Sequence, residues 1–117
     1  MGMDMYLIAA HSKKELENPN FWTYIAQNTN DKFSKPGELY YARKFWDLFH
    51  QVSFTQNYEC GEYRVLTKEN VEEMLQVACH NRDYFDGFTS VPQLCEILDR
   101  WDELVQHNLS VFFECDW

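Results

Sequence analysis

The chain is poor in the residues that punctuate or staple a fold, and poor in positive charge. Three prolines and four glycines in 117 residues leave no stretch with the composition of a linker or a disordered tail. The four cysteines, Cys60, Cys79, Cys95 and Cys115, are scattered, and no C-x-x-C pair offers the ligand spacing of a zinc site. The expectation is reduced, buried thiols acting as small apolar groups, with no metal. No run approaches the roughly 18 apolar residues of a membrane span. The opening MGMDMYLIAA has neither the basic region nor the cleavage pattern of a secretory signal, so a cytoplasmic protein without membrane partners is expected. Gly-rich phosphate loops, H-E-x-x-H and G-x-S-x-G are missing as well, which removes the familiar signatures of nucleotide, zinc-protease and serine-hydrolase chemistry and leaves no cofactor motif. Lys and Arg number only 10 against 19 Asp and Glu. The pairs Lys13-Lys14 and Arg43-Lys44 are too sparse for the basic patch that phosphate contacts need, so direct nucleic-acid binding is disfavoured.

What is present is apolar mass and segregated acid. Hydrophobic residues make up 45% of the chain and aromatics 17%, enough for one domain over 1–117 that folds without metal or disulfide. Up to Tyr58 six acids face six Lys and Arg; from Glu59 onward thirteen acids face four. The whole formal net charge of −9 therefore sits in the second half.

Hydrophobic spacing outlines the elements. Met3, Met5, Leu7 and Ala9 alternate with Asp4, Tyr6 and Ile8, the period of a strand. Ser12 and Glu15 form a candidate capping box, with Pro19 close behind. Tyr41, Phe45, Leu48, Phe49 and Val52 recur at three and four, which predicts a helix from Glu38 to about Val52. EYRVLT reads as a strand, and Thr67 as the N-cap of a helix with Val71, Met74, Leu75 and Ala78 on its apolar face. A further helix is predicted from Ser90, with Pro92 in its first turn and Gln93 completing a capping box; Leu94, Ile97, Leu98, Trp101, Leu104 and Val105 form its stripe. LSVFFEC closes as a strand with Val111, Phe113 and Cys115 on one face. The expected class is α+β: a small sheet of about three strands with three main helices packed largely on one side.

The carboxylates follow the helices. Glu69, Glu72 and Glu73 lie opposite the apolar face of the helix from Thr67, and Glu96, Asp99 and Glu103 line one stripe of the helix from Ser90. An ordinary solvated face carries the same pattern. Segregation of the charge to one half of the chain favours instead a surface that attracts a basic partner. Cys79 and His80 are neighbours, yet successive helix residues point about 100° apart and do not form a nucleophile–base pair. His50 and His107 stand near predicted helix ends, where an imidazole caps carbonyls. Tyr40, Tyr41, Phe45, Trp46 and Phe49 cover more than one face, so Phe21, Trp22 and Phe33 must fold over them, or an exposed cluster forms an interface.

Four stretches resemble a family of small uncharacterised proteins encoded by bacteria and by phage or prophage genomes. MGMDMYL is similar to the family's Met-Gly-Leu-Asp-Met-Tyr-Leu opening. YYARKFWDLF is similar to its Tyr-Trp-Arg-Lys helix, matching at Tyr41, Arg43 and Lys44. CGEYRVLTKENVEEML resembles its strand and Glu-rich helix, and FFECDW its closing strand. The chain departs where family members carry a His after the Tyr-Trp-Arg-Lys helix: Phe49 takes that position and His50 stands one step late. The loop YFDGFTSV is also shorter than its counterpart.

The resemblance implies a phage or mobile-element setting, and the residues imply a binding role. The expectation is a non-enzymatic, acidic protein-binding protein that inhibits a host defence complex in the manner of an anti-CRISPR. Glu69, Glu72, Glu73, Glu96, Asp99 and Glu103 would compete for a basic nucleic-acid groove on the partner. The alternatives are an enzyme or small-ligand binder with a pocket around His50, Cys60 and Glu62, and a structural homodimer built on exposed aromatics.

Overall fold

A computed structural model describes residues 4–26, 32–43, 52–59, 61–82 and 87–116. Its elements in chain order are β1 (Asp4–Ala10), α1 (Lys13–Leu16), α2 (Phe21–Ala26), β2 (Gly37–Arg43), a 3₁₀ turn (Ser53–Thr55), β3 (Arg64–Leu66), α3 (Lys68–His80), α4 (Gly87–Asp99), α5 (Trp101–Gln106) and β4 (Ser110–Asp116). The class is α+β as expected. The sheet has four strands in the order β2-β1-β4-β3, with every pair antiparallel.

The additional strand is the main departure from the sequence reading. Glu38 to Arg43 form β2, not the start of a helix, and the rest of that predicted helix, 44–51, lies outside the described residues. The three-and-four spacing joined Tyr41 to Val52, which belong to different elements. Along β1, Leu7 faces Tyr40 and Ile8 faces Glu38, so Leu39 is an extra residue in a bulge. A bulge breaks the two-residue alternation. Leu39 and Tyr40 are thus buried side by side, which hides the strand period.

Alternation divides the sheet into two faces. Met5, Leu7 and Ala9 of β1, Val111, Phe113 and Cys115 of β4, Leu66 of β3 and Ala42 of β2 point into the main core, with Val71, Met74, Ala78, Leu94, Ile97 and Leu104 from the helices above. The polar handle of buried Tyr40 is satisfied there, its hydroxyl lying 2.9 Å from the Ser90 Oγ. On the opposite face Ile8, Ala10 and Phe112 pack with Leu16 of α1 and Phe21 of α2. The helices therefore do not all share one side: α3, α4 and α5 cover one face, and the short α1 and α2 cover an end of the other.

Helix ends follow capping chemistry. Thr67 accepts from the Asn70 N–H while Asn70 Oδ1 accepts from the Thr67 N–H, a reciprocal box that starts α3. Ser90 and Gln93 do not start α4, which begins at Gly87 and carries Pro92 inside it. Ser90 is instead buried against Tyr40, and Gln93 reaches β2. The predicted last helix is two segments that break at Arg100, and Val105 of its expected apolar stripe is exposed. Asn108, at φ 57°, takes the left-handed conformation that ends a helix, and the Leu109 N–H bonds back to the Leu104 carbonyl at 2.9 Å. His107 caps as expected, its Nδ1 2.8 Å from the Glu103 carbonyl.

Candidate functional site

The Thr67 cap sets the phase of α3 and places Glu69 and Glu72 in water, since Val71 and Met74 on the opposite side are buried. Glu96 and Asp99 are likewise exposed at the carboxyl end of α4. The two helices pack against each other and are joined by only residues 81–86, a link of the length that makes antiparallel neighbours. Glu69 and Glu72 therefore share one end of the layer with Glu96 and Asp99. Among the described residues these four make no ion pair.

Glu73 and Glu103 do not belong with them. Both oxygens of Glu73 are engaged with Ser53: one accepts its N–H and the other its hydroxyl, at 3.1 Å for the latter. Glu73 thus caps the 3₁₀ turn from another element. Glu103 receives Arg100 through Nη2 at 2.7 Å and Nε at 3.2 Å. That guanidinium, itself 4.3 Å from the Phe33 ring centroid, holds the Glu103 carboxyl below its ordinary value. Of the six expected residues, Glu73 and Glu103 thus have partners within the chain.

Sequence periodicity missed a second acidic surface, on the sheet face that α1 and α2 only partly cover. The register sets Tyr41, Tyr6 and Glu114 in one row across β2, β1 and β4, with Arg43, Asp4 and Asp116 in the next. Tyr6 lies 5.1 Å from Tyr41 and 6.3 Å from Trp22 between ring centroids. The Tyr41 hydroxyl donates to Asp4 Oδ1 at 2.8 Å, and Arg43 Nε stands 3.6 Å from the same oxygen. Desolvation, then Asp4, Glu38, Glu114 and Asp116, push the Tyr6 phenol up; desolvation and Asp116 push the Glu114 carboxyl up. Desolvation raises Glu38 too, opposed by Lys32, although much of its surface reaches solvent. Pairing Asp4 with Asp116 across strands was legible only once the strand register was known.

The pocket alternative has one described member, Glu62. Glu62 accepts from the Glu59 N–H at 3.3 Å and from Arg64 Nη2 at 3.1 Å, and these contacts hold its carboxyl down. Arg64 in turn donates to the carbonyls of Phe54, Gln56 and Asn57, so Glu62 helps clamp a loop. His50 and Cys60 lie outside the described residues. The depressions beside α1, lined by Ser12, Lys14, Glu15, Glu17 and Asn18 or by Glu15, Asn18, Asn20 and Phe21, are open to solvent and gather no set of catalytic groups. Among the described residues no group of three His, Cys, Asp or Glu could hold a metal ion, and no helix is long and apolar enough to cross a membrane. Cys115 is buried as expected, whereas Cys79 is exposed and Cys95 half-buried; Cys60 lies outside the described residues.

No protein-family model matches the chain, and no curated protein or solved structure does.

Proposed function

We propose that this chain is a non-enzymatic binding protein whose acidic helix layer engages a basic surface of another protein. The supporting observation is the placement of Glu69, Glu72, Glu96 and Asp99: exposed on two helices that pack against each other, and without an ion-pair partner among the described residues. A cap fixes α3 and a buried seam fixes α4, so the charges are presented on rigid elements and lose little freedom on docking. Such a surface speeds encounter with a basic groove and disfavours acidic partners. The finer version is an inhibitor that competes with nucleic acid for a Lys- and Arg-lined channel in a defence complex of the anti-CRISPR kind. It rests on the charge pattern and on the family resemblance alone.

The test is capture of partners by the full chain from a bacterial lysate, with elution along a salt gradient. The matched variant is Glu69→Gln, Glu72→Gln, Glu96→Gln and Asp99→Asn together, which leaves the structural Glu73 and Glu103 intact. If each exposed charge contributes about 0.5 kcal/mol, the four together weaken binding by roughly 30-fold at low salt. The variant should also show a flatter salt dependence. A partner held equally by both proteins would end this reading.

A further inference from the structure

The sheet face opposite the main helices carries charges that folding alone does not call for. Asp4 and Asp116 stand directly across β1 and β4, and like charges in that position destabilise a sheet. Glu114 shares their face, two residues from Asp116. Arg43 faces Asp4 from β2 and Lys32 acts on Glu38, whereas among the described residues no ion pair holds Glu114 or Asp116. The apolar part of the face is incompletely covered: Trp22 and Val65 are 40% and 58% exposed. Val65 faces Phe112 across β3 and β4, and Trp22 leans on Tyr6. α1 and α2 close over Ile8, Ala10 and Phe112, and Trp22 of α2 reaches Tyr6, leaving the row of Tyr6, Tyr41 and Glu114 half-buried.

We infer that these rows are a docking surface for arginine side chains of a partner protein, with guanidinium planes lying on Tyr6, Tyr41 and Trp22 and their N–H groups donated to Glu38, Glu114 and Asp116. Charge complementarity selects the occupant. Aromatic faces attract cations, carboxylates accept the guanidinium fork in pairs of hydrogen bonds, and both features meet here on a stiff sheet. Arginine fits better than lysine because its plane stacks while its edge bonds carboxylates. A second copy of this chain, with its formal net charge of −9, is the wrong sign for the surface. Asp4 stands opposite Asp116 and Asp116 acts electrostatically on Glu114, so an arriving guanidinium relieves a repulsion already present between carboxylates. This surface is separate from the acidic end of α3 and α4, and either can fail without the other.

The test is a titration of the ¹⁵N-labelled full chain with acetyl-Arg-Arg-amide, followed by amide and indole N–H resonances. The Trp22 indole signal is identified by its loss in Trp22→Phe. Saturable movement of that indole together with the Tyr6, Tyr41 and Glu114 amides is expected. Binding at these signals should fall about tenfold in Glu38→Gln/Glu114→Gln and less than twofold in the four-site helix variant. Because the double variant removes repulsion, it should fold; a native-like spectrum and an unlowered melting temperature check this. Movement confined to α3 and α4, an unchanged affinity in the folded double variant, or an equal response to acetyl-Lys-Lys-amide would each overturn the inference. So would a dimer whose interface signals fall on Tyr6 and Tyr41.

Discussion

Replacing Gln93 with leucine would expose the outer edge of β2. β2 ends the sheet order, so among the described residues its outward backbone groups have no strand beside them, the condition under which edges recruit other chains. Gln93 of α4 closes this edge at one residue: its Oε1 accepts from the Tyr41 N–H at 3.3 Å, and its Nε2 donates to the Tyr41 carbonyl at 3.4 Å. The amide of one side chain thus imitates the peptide of a further strand. Nε2 also donates to the Thr89 carbonyl at 3.1 Å, which fixes the rotamer. Both edge bonds are long and half-exposed, so each is worth the low end of the usual range, about 0.5–1 kcal/mol. Gln93→Leu should then lose about 1–2 kcal/mol, which for a chain of this size lowers the melting temperature by roughly 4–8 °C. Gln93→Glu keeps an acceptor for the Tyr41 N–H but sets a carboxylate oxygen against the Tyr41 and Thr89 carbonyls, so at neutral pH it should lose at least as much. Thermal unfolding by circular dichroism measures both, and light scattering across a concentration series reports self-association through the bared edge. A leucine variant that melts with the wild type and stays monomeric would refute the idea that Gln93 guards the edge.

Three other outcomes follow from the same geometry. Thr67→Ala removes the hydroxyl of the capping box at α3 and should lower stability by about 1 kcal/mol in urea unfolding; an unchanged midpoint would mean that α3 is held by packing alone. Glu38 and Glu114 have folded pKa values above the ordinary 4.5, so their favourable contribution is full below pH 4.5 and is lost as pH rises through the raised folded values. Glu38→Gln/Glu114→Gln should therefore melt above the wild type at pH 7, with the gap closing as the pH falls to 4.5 and below; a gap that persists there would deny that ionisation is its cause. Cys79 is exposed and Cys115 fully buried, so a thiol reagent should modify Cys79 in the native protein and reach Cys115 only on unfolding, as mass spectrometry of the labelled peptides would show. Early labelling of Cys115 would contradict its place in the core.

Strands at the two ends of the chain and the helix after Thr67 were legible because local pattern and tertiary demand agree there. Met5, Leu7 and Ala9, and Val111, Phe113 and Cys115, keep a two-residue period with no register shift between β1 and β4, and each set faces one core. β2 was hidden because the extra residue in its bulge buries Leu39 next to Tyr40. Two adjacent apolar residues followed by Tyr41 and Ala42 satisfy a helical template as well as a strand one. The start of α4 was misplaced for a related reason: Ser90 and Gln93 have the residue types of a capping box, but their side chains answer to Tyr40 and to the Tyr41 backbone, some fifty positions away in sequence. Sequence spacing shows which carboxylates share a helix face. It cannot show that Glu73 reaches Ser53 or that Asp4 meets Asp116, because both depend on contacts between elements distant in the chain.

The two acidic surfaces also differ in what their charges can do. Glu69, Glu72, Glu96 and Asp99 stand in water, where salt screens them within about 8 Å at physiological ionic strength. They can steer an encounter and set its salt dependence, but removing any one of them should change the association rate more than the dissociation rate. Glu114 and Tyr6 are half-buried and already carry desolvation in the unbound chain, which pushes both groups up. A cation docking there meets carboxylates that have shed part of their water before it arrives, so less solvation remains to be lost on binding. Substitutions on the sheet face should accordingly act on the dissociation rate. If both surfaces serve one partner, that partner must reach around the sheet, because α3 and α4 lie on one face and the Tyr6 row on the other. If they serve two partners, variants of one surface should leave binding at the other unchanged within about 0.5 kcal/mol, the additivity expected of distant sites.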